Sequence, residues 1–183
     1  DSLNNSYAIG GGGGGGDFLT GGIAPFASTS MIYRGENVLV IAGPSWSLSG
    51  LPALQFIRGT SNSATSKYLD LTRVSQQIEF PELAPYAVSD ITSADFNGDG
   101  YPDIAITGES LTVITANGDD YRTTPTTLNV SFSQTYSVAS GDLNGDGKPE
   151  IVVSGSGGGI DVFVNNGNGT FANAIHLSGP GIS

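Results

Sequence analysis

Two nine-residue stretches hold the residues best suited to chemistry. Asp95–Phe96–Asn97–Gly98–Asp99–Gly100–Tyr101–Pro102–Asp103 places side-chain oxygens at relative positions 1, 3, 5 and 9. Asp142–Leu143–Asn144–Gly145–Asp146–Gly147–Lys148–Pro149–Glu150 repeats the arrangement. A hard Ca²⁺ ion takes about six to eight oxygens at about 2.3–2.6 Å, and alternate residues of a tightly curled loop supply them. On this reading Asp95, Asp99, Asp103, Asp142, Asp146 and Glu150 bring charge, and Asn97 and Asn144 bring neutral oxygen. Tyr101 and Lys148, at position 7, contribute backbone carbonyls, which leaves their side chains free to vary. Gly100 and Gly147 allow the positive φ of a sharp turn, and Pro102 and Pro149 bias the residue before them towards extended backbone.

An EF-hand is excluded. It needs a bidentate Glu at position 12 and flanking helices, whereas position 12 here is Ile106 or Val153, inside a β-branched run. The plainer alternative is a metal-free turn, since Asp and Asn favour turns through local hydrogen bonds. It leaves unexplained why three carboxylates gather within nine residues, twice, at a range where unneutralised charges repel. Calcium binding is therefore expected, with an affinity on the order of 10⁻⁴–10⁻³ M, the range of extracellular modules.

The elements that must hold these loops are read from a repeat. Ser89–Thr107 (SDITSADFNGDGYPDIAIT) and Tyr136–Ser154 (YSVASGDLNGDGKPEIVVS) are copies, with Asp95 and Asp142 47 residues apart. Each copy continues through a Gly turn (Gly108; Gly155), a second β-rich run (Leu111–Ala116; Gly159–Asn165), a polar turn and a further alternating stretch. Short Val-, Ile- and Thr-rich runs between Gly/Asn/Asp clusters read as antiparallel strands. Four strands per unit of about 47 residues point to propeller-type blades in an all-β protein. A weaker third copy precedes them: Val38–Gly43 matches Ile104–Gly108 and Ile151–Gly155 as a second strand, with Leu54–Arg58 third and Tyr68–Val74 fourth. Its acidic loop is missing, and Gly21–Glu36 reads as an insertion in that place. The expected organisation is a Gly-rich segment over 1–16, a degenerate blade with an insertion over 17–87, and two loop-bearing blades over 88–135 and 136–183.

Composition sets outer bounds. Charged residues are 13 % of the chain against about 25 % in ordinary domains, too few to clothe exposed helices. A net charge of −11 repels nucleic acid and anionic lipid and favours multivalent cations. There is no cysteine and a single histidine, His176, which excludes thiol chemistry and disfavours a His-based triad or metal site. No apolar run approaches the roughly 18 residues of a membrane span. Nothing reads as a signal peptide, so an exported form is expected to be mature or excised.

The DxNxDGxxD/E loop, the hydrophobic strand after it and the closing Gly167–Phe171 resemble FG-GAP/VCBS repeats, the blades of integrin-α-type β-propellers. The resemblance covers about Ser89–Ser178 strongly and Gly16–Val74 weakly. It implies one structural calcium ion in each loop, between the first and second strands of a blade, with Glu150 departing from the usual final Asp. It implies no calcium in the first blade.

Other features have plain readings. His176 sits on the outward face of a fourth strand. Trp46 is in a Ser/Pro/Gly loop, Asp119–Arg122 is a hairpin tip, and Glu109 has no carboxylate partner for a glycosidase pair. Gly10–Gly16 reads as a flexible run. Asn4, Asn129 and Asn168 head glycosylation sequons. Three blades are fewer than the roughly four to eight of a closed propeller. Apolar end faces are therefore expected to be covered by more chain, by further copies or by a stacked array. The expected function is a non-enzymatic, calcium-stabilised extracellular module for adhesion or assembly. Its partners would be a protein or further copies of itself, with neither nucleic acid nor membrane insertion. The alternatives are a propeller-type lectin that binds a glycan, or an accessory domain of a secreted hydrolase.

Overall fold

The computed structural model describes residues 27–33, 36–44, 52–60, 70–79, 88–118 and 120–179. Among them there is no helix, and the strands form three four-stranded antiparallel sheets, each a simple up-and-down meander. The first sheet is β1 (Ala27–Tyr33), β2 (Glu36–Pro44), β3 (Pro52–Thr60) and β4 (Asp70–Glu79). The second is β5 (Asp90–Ala94), β6 (Asp103–Thr107), β7 (Leu111–Ile114) and β8 (Thr126–Leu128). The third is β9 (Thr135–Gly141), β10 (Glu150–Gly155), β11 (Ile160–Phe163) and β12 (Ile175–Leu177). These are propeller-type blades, and the three do not close into a ring.

The second sheet lies between the other two. Period-two alternation sends Ile104, Ile106 and Ile114 to one face, where they join Met31, Val38, Val40, Leu54 and Phe56 of the first sheet. Ala105, Leu111 and Val113 go to the opposite face and join Val138, Ile151, Val153 and Phe163 of the third. Every residue of β6 and β7 is consequently buried. That is why Ile104–Ala105–Ile106 runs apolar without a break, as strands covered on both faces do. Burying such aliphatic side chains contributes about 1.5–3 kcal/mol each.

The expected insertion over Gly21–Glu36 is corrected. Residues 27–33 within it are β1, the first strand of the first blade, paired antiparallel with β2 as far as Tyr33↔Glu36. The unbroken Ser28–Thr29–Ser30 run hid a strand whose buried residues are Ala27 and Met31. Since only two residues separate β1 from β2, the first blade has no acidic loop between its first and second strands. The expected fourth strand, Tyr68–Val74, is found at Asp70–Glu79. Gly10–Gly16, Asn4, Trp46 and Asp119 lie outside the described residues.

Candidate metal-binding loops

Both acidic stretches connect the first and second strands of their blades, β5 to β6 and β9 to β10. Short polar side chains curl each of them onto its own amides. In the first loop the amides of Gly98 (2.7 Å), Asp99 (3.1 Å) and Gly100 (2.8 Å) donate to Asp95. The Asp99 amide also donates to Asn97 Oδ1 (3.0 Å), and the Tyr101 amide to Asp99 Oδ1 (2.8 Å). The second loop repeats the network. Gly145 (2.7 Å) and Gly147 (2.9 Å) donate to Asp142, Asp146 to Asn144 (2.8 Å), and Lys148 to Asp146 (2.9 Å). These are side-chain turns of the kind Asp and Asn form two residues on. Gly100 (φ 85°) and Gly147 (φ 81°) take the left-handed backbone that the turn at position 6 demands.

The ninth position behaves differently from the rest. Asp103 is fully buried and accepts from three amides: Phe96 (2.8 Å), Asn97 (3.1 Å) and Ala116 (2.7 Å). It thereby ties the start of the loop to the end of β7. Burial raises its carboxyl to about 6 against the pull of those amides, and the Asp99 charge adds to the rise. Glu150, 1 % exposed, does the same work with a longer reach, accepting from the Leu143 amide (2.8 Å) and more distantly from Asn165 (3.5 Å). At the opposite end of the second loop the Gly147 amide, helped by its neighbours, holds Asp142 below the usual carboxylate range.

The donor set is hard oxygen throughout, which suits calcium rather than a softer metal. Asp95 Oδ1 and Asp103 Oδ2 each accept two amides. Asp95 Oδ2, Asp99 Oδ1, Asp103 Oδ1, both Asp142 oxygens and Asp146 Oδ1 accept one amide apiece and keep a second lone pair, so donor chemistry and loop form fit the ion. As the side chains stand, their oxygens face loop amides, and among the described residues no three acidic or imidazole groups form an ion cage.

The same form in both copies, each running into a buried second strand, is what family comparison recognises. The profile of the FG-GAP-like repeat matches residues 95–153 and again 142–183, each match starting on the first Asp of a loop. Residues 95–183 belong to the FG-GAP repeat family. No curated protein matches it significantly.

Around the FG-GAP loops the structure places residues that the sequence did not single out. The ring of Phe96 is wholly buried and meets Phe171 of the third blade edge-on, centroids 5.6 Å apart. Asp161, fully buried on β11, accepts from the Ser131 amide (2.6 Å) and bonds His176 Nδ1 (2.8 Å). His176 thus lies on an exposed strand, as expected, but its ring turns back to a carboxylate. A lone Asp in a β-branched run was the available signal for Asp161. For Phe171 the Gly-rich turn before it was a signal, but nothing in the sequence named its partner. Beside the first loop, Tyr101, Asp95, Ser93, Ser30 and Ile32 line a cleft of about 530 Å³ between the first and second blades.

Proposed function

We propose that this chain is a calcium-stabilised, non-catalytic extracellular module of propeller type, working in adhesion or assembly. The observation that carries this reading is the shared network of the two loops. Oxygens at positions 1, 3 and 5 are gathered by the same amides in both. Calcium supplies the positive charge that offsets the clustered carboxylates. Asp95, Asn97, Asp99 and the Tyr101 carbonyl would hold it in the first loop, and Asp142, Asn144, Asp146 and the Lys148 carbonyl in the second. Asp103 and Glu150 would close the sets from beneath while keeping their hold on backbone amides. A ligand that binds only the folded state at about a hundred times its Kd adds about 2.7 kcal/mol. Chelator should therefore lower the melting midpoint by several degrees, and an unchanged midpoint would refute calcium binding.

The role in assembly is supported by the outer face of the third blade. There Leu143, Ile175 and Leu177 are more than half exposed, and Val152, Ile160 and Val162 lie beside them by sheet register. An apolar face of this kind marks an interaction surface, here for a further blade or a second copy. The cleft beside Tyr101 favours a second reading, glycan binding, because it sets an exposed ring beside a carboxylate and hydroxyls. A selective glycan-array signal that Tyr101→Ala abolishes would favour the lectin; no sugar signal would leave protein contacts.

A further inference from the structure

The turn between β11 and β12 does not stay within its own blade. An isolated bridge, Asn165↔Phe171, and the Asn166 amide donating to Thr170 O (3.0 Å) close it into a compact tip. That tip rests on the first acidic loop, which belongs to the blade before. The Gly169 amide donates to Phe96 O (3.1 Å), and the Phe171 ring meets Phe96 edge-on. The backbones come so close that a Cβ on Gly98 would stand 3.2 Å from Gly167 O, and one on Gly169 would stand 3.4 Å from Asn97 Cβ. Phe96, Asn97 and Gly98 are positions 2 to 4 of the loop, so the tip holds the segment that carries the position-3 oxygen. Among the described residues the second loop has no such cover at its positions 2 to 4; the tip meets it only at position 7, where a Cβ on Gly167 would stand 2.8 Å from the Lys148 side chain. Leu143, equivalent to Phe96, is 62 % exposed, and a Cβ on Gly145, equivalent to Gly98, would meet nothing.

We infer that the Asn166–Phe171 tip of the third blade is a positioning element for the cation loop of the second blade, making Asp95–Asp103 the tighter of the two sites. The inference rests on the calcium reading above. A loop whose backbone is already fixed loses less conformational freedom when it closes on an ion, so more of the interaction appears as affinity. Phe171 is thus a positioning residue for a site in another blade.

Terbium is the probe, because Tyr101 stands in the first loop while Lys148 takes its place in the second. Emission sensitised by Tyr101 reports the first loop alone, and its loss in Tyr101→Leu assigns the signal. Total ion bound, followed by calorimetry with Ca²⁺, reports both loops. In the full chain Phe171→Ala should raise the half-saturation of the first loop about three- to tenfold, the worth of one edge-on ring contact. The second loop should not move, and Phe171→Tyr should restore the native value. Phe171→Leu, which keeps apolar bulk, provides a smaller shift in the same direction should the alanine variant fold poorly. Comparing two sites in one molecule separates positioning from general destabilisation. Equal shifts at both loops, or none at either, would overturn the inference and leave calcium binding intact. Absence of terbium and calcium binding in the native chain would overturn both.

Discussion

The second and third blades are near copies in sequence and unlike in circumstance. Ile104–Ala105–Ile106–Thr107 and Ile151–Val152–Val153–Ser154 occupy the same strand of the same sheet. The first is buried at every position, while the second alternates between buried and half-buried. The difference lies in neighbours, because among the described residues the second blade has a sheet on either face and the third has one on a single face. Phe96 and Leu143 state the contrast most sharply, one fully enclosed and the other 62 % exposed at the same loop position. A repeat supplies the same apolar residues each time, and stacking decides which of them leave water.

The contrast breaks or sharpens under substitution. The largest effect is expected at the start of the loop. Phe96→Ala should cost about 3–5 kcal/mol in denaturant unfolding, as truncation of an enclosed aromatic does. Leu143→Ala should stay within about 0.5 kcal/mol, as exposed positions do. A comparable loss at Leu143 would show that the outer face of the third blade is covered in solution, and the particle mass would then exceed that of one chain.

A smaller difference is expected where the blades use different chemistry at one register position. Asp161↔His176 in the third blade corresponds to Thr112↔Thr127 in the second. Asp161→Ala removes a buried acceptor that holds both the Ser131 amide and the His176 ring and should cost about 1–3 kcal/mol, whereas Thr112→Ala should cost about 1 kcal/mol, the common value for a single substitution. Equal losses would mean that the buried carboxylate is no more than a space-filler.

The smallest effect concerns pH and separates the two loops by sign. Folded Asp103 keeps its proton up to about 6, while an unfolded Asp releases it near about 3.9. Between those values the folded chain binds more protons, so in chelator this group makes stability fall as pH rises from about 4 to about 6. Asp142 acts oppositely, since its lowered value stabilises above the ordinary carboxylate range and is lost as acid protonates it. Asp103→Asn should flatten the falling slope in pH-dependent melting, and an unaltered slope would assign that titration to another group.

Much of this was legible in the residues. The period-two runs and the 47-residue repeat gave the two loop-bearing blades, their strand order and the place of each loop, because these are local properties. The first strand of the first blade was not legible. Its Ser and Thr residues gave β1 the look of a loop, and pairing with β2 settles its state. The roles of Asp103 and Glu150 were half legible: their type and spacing were plain, but their burial and their grip on distant amides were not.

By itself the sequence determined the oxygen-rich loops, their turn geometry and the all-β class, since neighbouring residues fix these through dihedral preference and short-range hydrogen bonds. Only the tertiary structure decided that Phe171 meets Phe96, that His176 meets a buried Asp161, and that Leu143 stands uncovered. Such contacts join residues far apart in the chain, and the energy that selects them comes from removing whole sheet faces from water, which no local pattern specifies.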